Sequence, residues 1–348
     1  MATKNSRLFI IVGLGSIGKK HAEFFFSKEN QFIFIDPSSE IQKWKKDKFN
    51  FTNCYLFRSI NSAKKTIKKI NLPKIGIISN WGTQHYDSLI HLYNFGIKNF
   101  FIEKPISNSI NSLDHLLELS KQNKIRFIGG FGWRYSEIPK KINDLSNNYL
   151  GGSPKIINFN GGAFGIVTNG IHYLDLAISI FNSYPIDVIS SLKNDLINPR
   201  QKNLNFFEGS AIWNFSNKKK LIINATNHSS VRPTAEIICP KGKIRINEDM
   251  SLSIFQRDEN EIKQDPRIIR LGIPNENKNL KFKPNYNTGF NKLVDTLLDE
   301  KNKNLDSNRE IIATRSIIYA LIASLTKKNQ IINKTLPKKY YYKKWMIS

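Results

Sequence analysis

The chain of 348 residues carries 53 Lys+Arg against 28 Asp+Glu, a formal net charge of +25. That length suits two domains of roughly 100–200 residues each, and 40% hydrophobic residues argue against a chain disordered by composition. The two cysteines, Cys54 and Cys239, speak against a disulfide framework or a cysteine-based zinc site and fit a reducing, cytoplasmic setting.

The charge has two readings. The sequence is rich in Lys, Asn and Ile, as an AT-rich coding sequence would produce, and its lysines are dispersed: Lys43, Lys45, Lys46 and Lys48, then Lys64 to Lys69, then Lys218 to Lys220. The other reading is a basic surface for nucleic acid, an anionic membrane or an acidic substrate. No run approaches the roughly 18 apolar residues of a membrane span, and Leu8–Val12 is too short for a signal-peptide core. No integral membrane association is expected. No zinc-finger spacing, RNP-type motif or helix-turn-helix pattern supports nucleic acid.

In chain order, Leu8–Val12, Phe32–Ile35, Ile75–Ser79, Asn99–Ile102 and Ile125–Ile128 are short β-branched or aromatic runs that predict buried parallel strands. Ile17–Ser27 and Leu113–Gln122 show helical spacing between them. This βαβαβ order predicts a doubly wound sheet. A helix is expected over Ser136–Leu145, a turn at Gly151-Gly152 and a second helix over Gly170–Phe181. Then come strand-like runs at Asp187–Leu192, Phe206–Phe215, Lys220–Thr226, Thr234–Cys239, Lys243–Ile246 and Leu252–Phe255. Hairpin-like turns fall at Ser216-Asn217 and Pro240-Lys241-Gly242. Helices over Thr288–Asp299 and Ser307–Leu325 close the pattern, the last with a capping-box signature of Ser307 and Glu310. The expected fold class is α/β followed by α+β. A doubly wound Rossmann domain over 1–128 precedes a domain with an open, mainly antiparallel sheet over 129–348.

The segment Gly13-Leu14-Gly15-Ser16-Ile17-Gly18 follows the first strand and opens a helix. Gly13 permits the tight turn, Gly15 lets a pyrophosphate approach the backbone, and Gly18 permits close helix–strand packing. The helix start offers free N–H groups to phosphate. Asp36 ends the second strand, where a carboxylate accepts from ribose hydroxyls and repels a 2′-phosphate, so NAD is expected over NADP. Its alternative is a turn acid before Pro37. At the end of another buried strand stands Glu103-Lys104-Pro105, on the sheet edge where ligands sit. Pro105 stops the strand, leaving Lys104 to hold a substrate oxygen or to reach solvent.

These features resemble the glucose–fructose oxidoreductase/inositol dehydrogenase/MocA (Gfo/Idh/MocA) family. Three further stretches carry the resemblance. Ser79-Asn80-Trp81-Gly82-Thr83-Gln84-His85 is similar to its Thr-Pro-Asn-x-x-His loop beside the nicotinamide. Gly130-Phe131-Gly132-Trp133-Arg134-Tyr135 resembles the start of its second domain. Gly170-Ile171-His172-Tyr173-Leu174-Asp175 matches its Gly-x-His-x-x-Asp motif. Two departures stand out. Thr168 occupies the place of an Asp found in members with inositol-like substrates, and Trp81-Gly82 replaces Pro-Asn.

The resemblance implies hydride transfer between nicotinamide and a hydroxyl-bearing carbon of a sugar, cyclitol or nucleotide sugar, with surface-polysaccharide precursor synthesis as one setting. His172 becomes the proton-accepting candidate and Lys104 the group stabilising alkoxide character. Cofactor contacts are expected from Gly13, Gly15, Ser16, Ile17, Gly18, Asp36, Asn80, Trp81, His85, Glu103 and Lys104. Substrate contacts are expected from Lys104, Arg134, Thr168, His172 and Asp175; no metal is. Each has a plainer alternative. His172 can be a packing or capping residue, Asp175 a helix acid, Arg134 a partner for a carboxylate across the domain junction, and His85 a turn residue. Thr168 cannot hold a negative charge, so a less basic His172 is expected. A homodimer or homotetramer is implied by the family, as is the alternative of a non-catalytic dinucleotide sensor or interaction paralogue. The segment from Lys327 to Ser348 holds seven lysines, no acid, Tyr340-Tyr341-Tyr342 and Trp345. It forms either a basic–aromatic strip or a segment packed by its aromatics with lysines in solvent.

Overall fold

A computed structural model describes residues 6–49, 53–198, 203–258, 272–278 and 306–347, with scattered positions between 260 and 299. The first sheet has six parallel strands: β1 (Leu8–Val12), β2 (Gln31–Ile35), β3 (Cys54–Phe57), β4 (Lys74–Ile78), β5 (Asn99–Ile102) and β6 (Arg126–Gly129). Their order is β3-β2-β1-β4-β5-β6. Every residue of β1 is buried, as a central parallel strand with both faces covered requires. The chain leaves β1 toward β2 on one side and enters β4 on the other. The crevice at the carboxyl ends of β1 and β4 is therefore the switch point where doubly wound sheets bind ligands. Helices α1 (Ser16–Phe24), α2 (Glu40–Lys48), α3 (Ile60–Lys69), α4 (His85–Tyr93) and α5 (Ile110–Lys121) connect the strands.

The two faces of this sheet have separate fates. Phe9, Ile11, Phe32, Phe34, Ile77 and Phe101 form one aromatic-rich core. Ile10, Ile33, Ile78, Phe100 and Phe127 belong to a larger core that runs on into the second sheet. Short helix α6 (Gly132–Tyr135) and α7 (Ile138–Tyr149) lead into that second unit, which contains α8 (Gly170–Phe181). Its nine strands are β7 (Ile156–Gly161), β8 (Pro185–Ile197), β9 (Asn205–Phe215), β10 (Lys220–Ala225), β11 (Thr234–Cys239), β12 (Gly242–Ile246), β13 (Leu252–Gln256), β14 (Asn275–Glu276) and β15 (Gln330–Ile331). They lie in the order β14-β13-β12-β11-β7-β10-β9-β8-β15. All their pairings are antiparallel except β7 with β10. Helix α9 (Ser307–Thr326) is buried along most of its length. A helix apolar on nearly every side belongs inside a protein, and α9 packs against α5, β6, α8 and β8. Helix α10 (Lys338–Tyr341) follows.

The structure adds four strands to the sequence reading: β3, β7 and the two-residue β14 and β15. β3 is a four-residue edge strand, Cys-Tyr-Leu-Phe, with a mixed burial pattern, too short to stand out. β7 carries Asn158 and Asn160 on its more exposed face yet is the centre of the second sheet. The expected capping box is also corrected. The N-cap of α9 is Asp306, whose carboxylate accepts from Asn308 N–H at 3.0 Å. Glu310 instead turns inward to Arg134 and the Gly129 N–H. The helix expected over Thr288–Asp299 falls mostly outside the described residues.

Candidate active site

The glycine turn is built by contacts that exclude side chains. Gly13 has φ +87, and a Cβ there would lie 2.4 Å from the Asn80 backbone. A Cβ on Gly18 would lie 1.9 Å from the Gly13 carbonyl oxygen, which already accepts from Ser79 Oγ at 2.8 Å. Gly15 differs: nothing lies within 4 Å of its Cβ position. Gly15 also starts α1 without a side-chain cap, and no acid occupies the first turn. The N–H groups around exposed Ser16 and Ile17 therefore face open space at the positive end of a helix. Asp36 braces the turn from β2. Its carboxylate accepts from Leu14 N–H at 2.7 Å and Ser38 N–H at 2.9 Å.

Beside this turn, the Asn80 side-chain NH₂ donates to Ser88 Oγ at 2.9 Å. Its Oδ1 is buried and has no partner among the described residues. Trp81 is 38% exposed. His85 lies inside the protein, 1% exposed, with Nδ1 2.7 Å from Pro105 O and Nε2 3.0 Å from Asn80 O. Burial lowers its pKa despite those two carbonyls. Neutral His85 has a single N–H, so it donates to one of these carbonyls while packed between the Asn80 and Pro105 loops, and it does not line the crevice.

Glu103 is likewise turned inward. Its Oε1 is 2.8 Å from Nε2 of His21 on α1. Burial would raise the Glu103 pKa, but the His21 contact and the nearby Lys104 and His172 outweigh it and hold it low. Glu103 therefore fastens α1 to the end of β5. Gly130 leaves room for it, because a Cβ there would stand 2.8 Å from Glu103 Oε2.

The next residue, Lys104, reaches across to the second unit. Its Nζ donates to the Thr168 carbonyl oxygen at 2.7 Å. Thr168 is buried and lies four residues before His172, which stands in the first turn of α8. The His172 ring packs 5.6 Å from the Trp133 ring and 6.2 Å from that of Phe131. Burial first, and Lys104 second, push its pKa down to about 3. His172 is accordingly a neutral imidazole across the physiological range.

Arg134 and Asp175, candidates for substrate contact, are committed to each other. Arg134 Nη2 is 2.8 Å from Asp175 Oδ1, and its Nη1 is 2.8 Å from Glu310 Oε1. Arg309 Nη1 donates to Asp175 Oδ1 at 2.7 Å. Burial would lower the Arg134 pKa, but Asp175 and Glu310 raise it instead. The Glu310 carboxyl is pushed up, chiefly by burial. This cluster joins α6, α8 and α9. A cavity of about 680 Å³ lined in part by Lys140, Tyr184, Asp306 and Arg309 opens beside it and includes neither Lys104 nor His172.

Comparison with known proteins bears on the fold. Residues 7–131 match the model of the Gfo/Idh/MocA oxidoreductase family with its NAD-binding Rossmann fold. Among curated proteins, the chain is similar to a myo-inositol 2-dehydrogenase of Thermotoga maritima, 23% identical over 42% of each chain. That match spans less than half of the relative's length. Among solved structures, an oxidoreductase from Agrobacterium radiobacter in complex with NAD+, L-tartaric acid and magnesium superposes with a TM-score of 0.69. It is 13% identical, with 93% of this chain and 98% of that one covered. The myo-inositol 2-dehydrogenase of Lactobacillus plantarum gives a TM-score of 0.66 at 18% identity, covering 94% and 99%. Both likenesses show the shared two-unit fold.

The residues present fit the family's dinucleotide. The open cradle at Gly15, the uncapped start of α1, the Asp36 carboxylate and the unpartnered Asn80 Oδ1 supply an anion seat, a hydroxyl acceptor and a spare amide oxygen. Three residues escaped the sequence reading. His21 sits one turn after Gly18 on the same helix, a spacing that marks it in hindsight. Arg309 and the inward role of Glu310 left no local signal, because their partners lie more than 100 residues away.

Proposed function

We propose that this protein is an NAD-dependent oxidoreductase acting on a hydroxyl-bearing carbon of a sugar, cyclitol or nucleotide sugar. One observation carries the reading. Lys104, at the carboxyl end of β5 next to the dinucleotide cradle, is hydrogen-bonded at 2.7 Å to the segment that presents His172. The bound nicotinamide would take or give the hydride. The chain's own task is to hold the substrate oxygen and manage its proton. The Lys104 ammonium donates a hydrogen bond to that oxygen and stabilises negative charge as it develops. Neutral His172 has a free ring nitrogen to accept a proton from the same oxygen. Its low basicity makes it a weak base alone, so Lys104 must share the work by lowering the pKa of the alcohol. The rings of Trp133 and Phe131 pack beside the imidazole. The surplus of basic residues suits an anionic substrate such as a sugar nucleotide, and surface-polysaccharide precursor synthesis would be a natural setting.

The test is to mix the protein with NAD+ and a panel of sugars, cyclitols and nucleotide sugars and follow absorbance at 340 nm. Turnover with one of them, lost in Lys104→Ala, is the expected result. The neutral Thr168 and the low His172 pKa favour a second reading, a dinucleotide-binding sensor on the same fold. Tight NADH binding without turnover on any substrate, and with function in the cell unaffected by His172→Ala, would select it.

A further inference from the structure

We propose that Trp345-Met346-Ile347 form a strap that positions the two loops offering Asn80, Trp81 and Lys104 to the nicotinamide half of the dinucleotide. This role rests on the dinucleotide-binding reading above. The basic–aromatic strip of the sequence is packed against the protein at these residues: Trp345 is 5% exposed and Ile347 fully buried. The strap touches both units. Trp345 N–H donates to Asn108 O at 2.8 Å, and the Asn108 side chain donates back to Trp345 O at 3.1 Å. On the other side, Asn205 N–H of β9 donates to Met346 O at 2.7 Å.

The contact that matters lies at Gly82. A Cβ there would stand 2.9 Å from Ile347 O and 2.9 Å from Pro105 Cδ. Gly82 directly follows Trp81, and Pro105 directly follows Lys104. Ile347 is therefore wedged where the two loops meet, and His85 packs between the same loops, beside Pro105 O and Asn80 O. This explains why glycine replaces a larger residue in the loop: the strap occupies the space its side chain would need. The indole N–H of Trp345 is buried and finds no acceptor among the described residues. An unpartnered buried donor is unfavourable, so something other than its own stability keeps the tryptophan there.

The dinucleotide's two halves separate this role from general stabilisation. The adenosine half falls on β1 and β2, at Asp36, and the nicotinamide half across the switch point at β4 and β5. Among the described residues, the strap's contacts with the first unit lie on the nicotinamide side. The experiment compares the wild-type protein, a truncation ending at Lys344, and Asn108→Ala, which removes one strap hydrogen bond and leaves the chain intact. Dissociation constants for NADH and for ADP-ribose, which lacks nicotinamide, are measured by fluorescence and calorimetry beside thermal unfolding. The truncation should weaken NADH about tenfold, about 1.4 kcal/mol, and ADP-ribose less than about twofold. Asn108→Ala should shift NADH the same way by about threefold. Unchanged NADH affinity in both variants would overturn the proposal, and so would equal weakening of NADH and ADP-ribose. Wild-type protein that binds neither would overturn the dinucleotide reading itself, and the strap's role with it.

Discussion

Asp175→Asn tests the buried charge cluster. Asp175 is 1% exposed, and its two oxygens take Arg309 Nη1 at 2.7 Å, Arg134 Nη2 at 2.8 Å and Arg134 Nε at 3.1 Å. Asparagine keeps the shape but removes the charge and turns an NH₂ group toward one guanidinium. Arg134 remains buried with Glu310 as its sole carboxylate, and Arg309 loses its ion pair among the described residues. Breaking such a buried pair costs about 3–5 kcal/mol, against about 5–15 kcal/mol for an entire protein. At about 2–4 °C per kcal/mol for large domains, the melting temperature should fall by roughly 10 °C. Urea unfolding followed by circular dichroism gives the free energy directly. A double-mutant cycle with Arg309→Met isolates the pairwise part, which should be the smaller because Arg309 is 18% exposed and Arg134 only 5%. Because the Asp175 charge raises the His172 pKa, the variant should also make His172 harder to protonate. A loss below about 1 kcal/mol, the range of solvent-exposed pairs, would refute the view that this cluster holds α8 in place.

The glycine turn predicts opposite behaviour for neighbouring substitutions. Gly15→Ala meets nothing within 4 Å and should leave unfolding unchanged while weakening NADH, whereas Gly18→Ala, with a Cβ 1.9 Å from Gly13 O, should destabilise the fold by about 1–3 kcal/mol in denaturant titrations. For pH, His172 and His85 both have folded pKa values below their unfolded ones. Below about pH 6.5 the unfolded chain binds more protons, so their contribution is complete above that pH and is lost as pH falls below it, for His172 down to about 3. The urea midpoint should therefore drop between about pH 7 and pH 5, and His172→Asn should flatten that slope. Thr168→Asp restores a carboxylate near Lys104 and His172. The His172 pKa, followed by NMR, should rise by about one unit or more, and no rise would show that Lys104 and His172 do not share an electrostatic site.

The cofactor-binding half was legible in the sequence because its signals are local. Gly13, Gly15 and Gly18 are spaced within one short strand-to-helix turn, and the β-branched runs of β1, β4 and β5 report burial on both faces. The spacing of Gly-x-His-x-x-Asp put His172 at a helix start, and α8 begins at Gly170. Strand β7 was not legible, because its alternating asparagines resemble a polar loop until β10 and β11 pair with it.

What the sequence alone determined was the order of elements, the strand-to-helix turn that can seat a pyrophosphate, and the residue types available at the crevice. Only the tertiary structure decided which of those residues face the crevice. A carboxylate or imidazole takes its role from its partner, and the partners here come from distant parts of the chain. Glu103 was claimed by His21, His85 by two backbone carbonyls, and Arg134 with Asp175 by Glu310 and Arg309. Lys104 reaches the Thr168 carbonyl oxygen, and the His172 ring packs beside Trp133 and Phe131. The net charge of +25 gained a limited meaning in the same way: Trp345 of its terminal strip packs inward, Tyr342 stays exposed, and Lys344 reaches Asp87 at the exposed surface.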